Sequence, residues 1–371
     1  MRGELYKERK SFGNQRQRLT EIMVMKEMPG LRETHVLERG LYSEHGEVVE
    51  RATPRVLPRL PEGTPKNRLG LANWLTSPDH PLLARVTVNR YWQMIFGRGL
   101  VSTSEDFGMQ GKPPTHPQLL DWLARDFVNS DWDLRRLLKT MVLSHTYRQE
   151  SRTLPKAKEE DPQNLLLSRA PSYRLPAEMI RDGLLSQSGL LHKKVGGAGA
   201  RPYDLKVSFK PINPDGAPNV YRRSLYTFWK RTGPAPVMMA LDASKRDVCS
   251  VRRERTDSAS QALILLNGTQ FVEAARATAD KLIEKHGEED LDKLAAEAFR
   301  QLTSRYPDKR ETDILLRLSR EQREFFKDEK ETKKFLEVGY YRAKTKNSAL
   351  LAAMTNFVST LMNFDETLSK R

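Results

Sequence analysis

Apolar residues recur every three to four positions through most of the chain after residue 66, the spacing of helices that bury one face. Leu69, Leu71, Trp74 and Leu75 form the first such face, behind Asn67 as N-cap, and Ser77-Pro78-Asp79-His80-Pro81 stops it. A second helix is predicted from Leu82 to Phe96, ended by Gly97 and Gly99. Thr115 is placed to cap a third, with Pro117 in its first turn, Gln118 completing a capping box and a stripe of Leu119, Leu120, Leu123 and Phe127. Asp131 or Asp133 opens the next. Pro176 to Ser188 carries another, with Met179, Ile180, Leu184 and Leu185 inward. From Ser258 onward the pattern is helical throughout. One long segment has Gly268 as its weak point, and four further helical stretches follow on short connections, as in an antiparallel bundle.

Elsewhere the period is lost. Residues 1–66 read as an extended lead-in, the tail of a preceding domain, with a strand-like run at Ile22–Met25 and the character of a strap. Residues 150–170 are polar and read as a surface excursion. Residues 196–220 form a Gly- and Pro-rich loop. Its GGAGA run lacks the strand–turn–helix setting of a dinucleotide fingerprint, and a loop of this length is more often functional than accidental. Tyr221–Arg231 fits a short strand or an amphipathic helix. The expected fold is mainly α: helical bundle domains with an extended N-terminal strap, long irregular loops and few short strands. A helical domain is expected over 67–371, with its C-terminal bundle at 258–371.

Composition narrows the partners. The chain has 371 residues, 38% of them hydrophobic and 30% charged, enough to bury a core without staples. A single cysteine excludes an internal disulfide framework, Cys-x-x-Cys redox chemistry and a covalent haem attachment, so no cofactor is expected in this chain itself. The net charge of +15 favours anionic partners, yet no nucleic-acid-binding signature accompanies it, and nucleic acid is disfavoured. No apolar run reaches the roughly 18 residues of a membrane span. The first residues lack the apolar core of a signal peptide, which suits either a cytoplasmic protein or a split form of an exported one.

Candidate chemistry concentrates in Tyr221–Asn267. Arg222 and Arg223, Lys230 and Arg231, and Arg252, Arg253 and Arg255 form three basic groups, interleaved with Tyr226, Phe228 and Trp229. Guanidinium forks match carboxylate, sulfate or phosphate. Clustered arginines need anions, either internal ones such as Asp242, Asp247 and Glu254 or those of a ligand. Arg222, Arg223, Arg231, Asp242, Asp247, Cys249, Arg252, Arg253 and Arg255 are therefore the ligand-binding candidates. Secondary candidates lie outside that stretch. Arg85, Asn89 and Arg90 recur at helical spacing and share one face. His35 and His116 are site histidines or merely packed and capping ones. Asp106 lies in the loop after the second helix. Glu178 stands one turn from both Arg181 and Asp182, which suits an intrahelical salt bridge or a pair of acids for proton transfer.

These strings resemble the planctomycete domain of unknown function 1553. The resemblance rests on Tyr221–Ser224, Pro234–Pro236, Asp242, Cys249–Thr256 and Gln261–Asn267, and on a dense run over Asn67–Gln149 that includes Arg68, Trp74, Trp92, Gly97 and Asp121–Trp122. Ser258, Ala259 and Ser260 stand where the family shows a threonine and a proline. The resemblance implies a domain found behind a cytochrome c domain in exported or periplasmic proteins, so that haem would come from a partner. The function expected is a binding or scaffold module for an acidic or sulfated glycan or a partner protein. The alternative is a carbohydrate-active hydrolase or lyase, with Asp106, Glu178, Asp242 and Asp247 as acid/base groups and arginines as substrate clamps.

Overall fold

A computed structural model describes residues 2–18, 22–30, 32–207, 211–231 and 233–371, and the chain divides into compact units at 1–84 and 85–371. Residues 208–210 of the expected 196–220 loop lie outside the described residues.

The first unit holds α1 (Arg2–Arg18), an antiparallel pair β1 (His35–Leu37) and β2 (His45–Val48), and α2 (Arg68–Leu75). Asn67 caps α2 by accepting the amide of Gly70 at 3.0 Å. Trp74 donates its indole N–H to Pro58 O at 2.7 Å, which fastens the irregular stretch at Pro58 to α2, while the lead-in expected to be extended begins with the helix α1. Gly70 is required there by close approach, because an added Cβ would stand 1.9 Å from Pro65 O. Ile22–Met25 does not form a strand. Its side chains are exposed and it finds no partner strand among the described residues.

The second unit is helical. α3 (Leu83–Phe96), α4 (Pro117–Asn129), α5 (Leu134–Leu143) and the short α6 (His145–Arg148) and α7 (Pro155–Glu160) come first. Asp133 caps α5 through the amide of Arg136. The capping box expected at Thr115 is absent: His116 takes the cap position, and Thr115 turns back to pair its amide with Leu100 O at 2.9 Å. β3 (Tyr173–Arg174) leads into α8 (Ala177–Gln187), and α9 (Pro236–Ala240) follows the loop region. Tyr221–Arg231 is neither strand nor amphipathic helix. It makes two single 3₁₀ turns, at Asn219–Tyr221 and Ser224–Tyr226, because inward polar contacts hold its backbone.

Gly268 divides the long C-terminal helix into α10 (Ala259–Asn267) and α11 (Thr269–His286). α12 (Leu291–Thr303), α13 (Lys309–Phe325), α14 (Glu329–Leu336), α15 (Ser348–Met362), α16 (Asp365–Leu368) and β4 (Ser369–Lys370) complete the chain. β4 pairs antiparallel with β3, Lys370 opposite Tyr173. α11 is the centre of this bundle. Its alanines 274, 275, 277 and 279 are fully buried, and small side chains let α15 bring Met354, Phe357, Val358 and Leu361 close.

The same helix carries charge inside. Glu273, Arg276 and Asp280 lie on successive turns and are 0%, 1% and 0% exposed. Arg276 donates to Leu336 O, Val338 O and Tyr341 O, while Asp280 accepts the Tyr341 hydroxyl at 2.6 Å and the amides of Lys344 and Thr345. These contacts hold the irregular 337–347 connection in place of apolar packing, and buried charges persist only when paired in this way; the Arg276 Nε alone of that guanidinium has no partner among the described residues. The architecture is mainly α, with two two-stranded ribbons. Among the described residues no helix is long and apolar enough to cross a membrane.

Candidate anion-binding cavity

The basic side chains of the central stretch that are fixed by contacts take separate partners. Arg222 is buried and points inward, giving its guanidinium to the carbonyls of Lys194, Gly196 and Ala198 while stacking over Tyr226 at 3.9 Å. It is a clamp for the Gly-rich loop. Arg181, also buried, clamps the chain from the other side through Val220 O and Arg222 O at 2.7 and 2.8 Å, and Asp182 accepts the amide and hydroxyl of Ser224. The expected intrahelical pair of Glu178 with Arg181 therefore does not form. Arg181 needs its donors inside, and Glu178 reaches Arg253 instead at 3.0 Å.

Asp242, at a left-handed φ of 65°, is absorbed locally too. It accepts the Thr256 amide and hydroxyl, each at 2.8 Å, beside Gln261, whose amide group bonds Ala240 O. Arg174 closes this knot by donating to Thr256 O and Gln261 Oε1. Arg223, Arg231, Asp247, Cys249 and Arg252 are exposed.

Of the predicted arginines, Arg255 lines a cavity. That cavity, of about 380 Å³, opens between the end of α3, the 151–173 segment and Arg255. Its cationic side chains are Arg98, Arg169 and Arg255, and among the described residues no Asp or Glu lines it. Arg98 donates to Gln163 Oε1 at 2.8 Å, and Arg169 to the carbonyls of Asp161 and Pro162. Arg255 donates to Gly97 O at 3.1 Å and stacks on the Tyr173 ring at 4.2 Å, while its buried Nε has no partner. Burial pulls the Arg255 pKa below the usual arginine range. All three guanidiniums thus rest on neutral groups, and none is in an ion pair among the described residues. For Arg255, which burial desolvates, a cation without a counter-charge is costly, and an incoming anion removes that cost.

Local sequence explains the walls. Gly97 has φ of 80° and lies so close to the site that an added Cβ would meet Tyr173 Cδ1 at 2.5 Å. Tyr173 hangs its hydroxyl on Ile95 O at 2.9 Å, at the end of α3. Asp161 accepts the amides of Leu165 and Leu166 and so folds the 161–170 turn that presents Arg169. Residues 150–170 are thus a cavity wall as well as a surface excursion. The signal for Arg98 was its place between Gly97 and Gly99; Arg169 had none beyond its charge.

The secondary candidates scatter. Asn89 is fully buried and braces Val101 through both its amide and carbonyl, Arg85 pairs with Asp121 at 2.7 Å, and Arg90 is exposed, so the shared face does not assemble. Asp106 accepts the Gly108 amide within its own turn. His116 contacts the Thr115 hydroxyl. His35, in the other unit, contacts Gly46 O and stacks on His45 at 4.6 Å.

Residues 67–319 match the model of the family described as PSD1, protein of unknown function (DUF1553). No curated protein and no solved structure matches the chain.

Proposed function

Since the chain belongs to the PSD1 family of proteins of unknown function, we propose its role from the cavity: a binding module that holds an acidic or sulfated sugar unit against Arg98, Arg169 and Arg255. One observation carries this reading. Three guanidiniums line one cavity that no carboxylate side chain lines among the described residues. Arginine forks take carboxylate or sulfate oxygens in pairs. Thr115, Ser151, Ser172 and Asn164 line the same space and suit a ligand rich in hydroxyls, and Tyr173 gives it a flat apolar side. A volume of about 380 Å³ is at the small end for ligand sites, which suits one or two sugar units. The hydrolase or lyase alternative requires acid/base carboxylates beside the bound sugar. Asp106, Glu178, Asp242 and Asp247 are not among the lining residues, which favours binding over hydrolysis.

The test is calorimetric titration of the full chain with glucuronate and sulfated oligosaccharides, with the matching neutral sugars as controls. Anionic sugars bind, and Arg255→Ala or Arg98→Ala lowers affinity roughly tenfold or more, the worth of one charge-assisted hydrogen bond. Equal binding of neutral sugars, or unchanged affinity in the Arg98/Arg169/Arg255 triple alanine variant, overturns the reading.

A further inference from the structure

A second feature adjoins the cavity at Arg255 and otherwise uses residues that do not line it. Residues 247–255, Asp-Val-Cys-Ser-Val-Arg-Arg-Glu-Arg, make no backbone–backbone hydrogen bond among the described residues and belong to no helix or strand. The segment contains no proline, so every residue in it has an N–H and a carbonyl to offer. All but Arg255 are exposed. It is held at its edges: Thr256 by Asp242, and Arg253 by Glu178.

Beside it runs the 223–229 segment. Trp229 donates its indole N–H to Lys245 O at 2.6 Å, and Arg246 lies 4.5 Å over the Trp229 ring while reaching Ser224 O. The two segments carry apolar side chains that face water, with Leu225 74% and Val248 73% exposed, and Phe228 and Val251 exposed as well. The two segments also carry Arg223, Lys245, Arg246, Arg252 and Arg253, all exposed, against the acids Asp247 and Glu254, and Arg253 pairs with Glu178. The ledge is therefore positively charged, with separated apolar residues and an unpaired backbone.

We infer that residues 245–254, backed by 223–229, form a docking edge for an extended acidic polypeptide whose carboxylates alternate with apolar side chains. Each part of the ledge matches one part of such a partner. Guanidinium forks pair with carboxylates, the exposed Leu225, Phe228, Val248 and Val251 take apolar side chains of the partner, and free amides and carbonyls accept its backbone, as in strand addition. An anionic bilayer would satisfy the cations and bury the apolar groups, but it brings no regular row of donors and acceptors to the 247–255 backbone. That difference decides for a polypeptide.

The experiment is fluorescence anisotropy with the full chain and labelled peptides of alternating Glu and Val. A block peptide of the same composition, polyglutamate, an alternating peptide N-methylated on every second amide, and anionic phospholipid vesicles serve as comparisons. The alternating peptide binds, and Arg252→Glu and Arg223→Glu each weaken it roughly tenfold. Both residues are exposed, so circular dichroism of the variants should match wild type. N-methylation weakens binding by a similar factor, and Arg98→Ala, which belongs to the cavity, leaves it unchanged. Equal affinity for the block peptide, polyglutamate or the N-methylated peptide overturns the inference. Vesicle binding without peptide binding overturns it in favour of a membrane surface.

Discussion

Tyr221 donates its hydroxyl to Glu273 at 2.7 Å inside the helical unit. The same carboxylate accepts the Tyr203 hydroxyl at 2.8 Å and the amides of Tyr340 and Tyr341. One buried side chain on α11 therefore ties the 203–221 loop region and the 337–347 connection to a single point. Glu273→Gln replaces an acceptor with a donor facing donors, and is expected to cost about 2–4 kcal/mol in denaturant unfolding. Tyr221→Phe removes one donor only and should cost about 1–2 kcal/mol. Equal losses in the two variants would show that the carboxylate is not the shared anchor.

The hydroxyls of Tyr203, Tyr221 and Tyr341 are pushed above the ordinary tyrosine range, by burial first and by the Glu273 or Asp280 carboxylate next. A raised phenol pKa means that folding favours the neutral form. This contribution to stability is complete below the ordinary value near 10 and is lost as pH rises through the folded values. Thermal unfolding should fall steeply above about pH 10. Tyrosinate absorbance from the buried phenols should appear only with unfolding. Ionisation of all tyrosines in the folded chain near pH 10 would contradict the assignment.

At the other extreme, Arg305 bridges Glu311 at 2.6 Å and Glu366 at 3.0 Å, joining the start of α13 to α16. Hydrogen bonds from Arg305 hold the Glu311 carboxyl down at about 2, from an ordinary 4.5. A depressed carboxyl stabilises the fold above its unfolded pKa, so this part of the stability is present above about pH 4.5 and drains away as pH falls towards 2. Glu311→Gln should lower the melting temperature near neutral pH and flatten its decline across that window. An unchanged acid profile would remove the pair from the account.

Gly97→Ala tests the cavity wall. The new methyl group would meet the Tyr173 ring and the Arg255 guanidinium at a left-handed backbone position. Stability should drop by about 1–3 kcal/mol, and anionic sugars should bind at least tenfold more weakly. Intact binding in a stably folded variant would place the ligand elsewhere.

Much of the fold was legible because it is periodic. The helix starts at Asn67 and Asp133, the break at Gly268 and the C-terminal bundle follow from apolar spacing and caps that act over four residues. The failures have a common physical origin. Thr115, Arg181 and Arg222 all satisfy partners distant in sequence: Leu100, Val220 and the carbonyls at 194–198. An arginine that serves buried carbonyls and one that waits for a ligand look alike as letters. The cavity was only partly visible for the same reason. Arg255 stood in a conspicuous run, whereas Arg98 and Arg169 are single cations brought to it by the end of α3 and the turn that Asp161 folds.

The two-residue ribbon of β3 and β4 sets Lys370 directly across from Tyr173, one of the cavity's walls. A dye carried on Lys370→Cys would consequently sit on the strand paired with that wall, and its emission serves as an antenna for occupancy without altering any lining side chain.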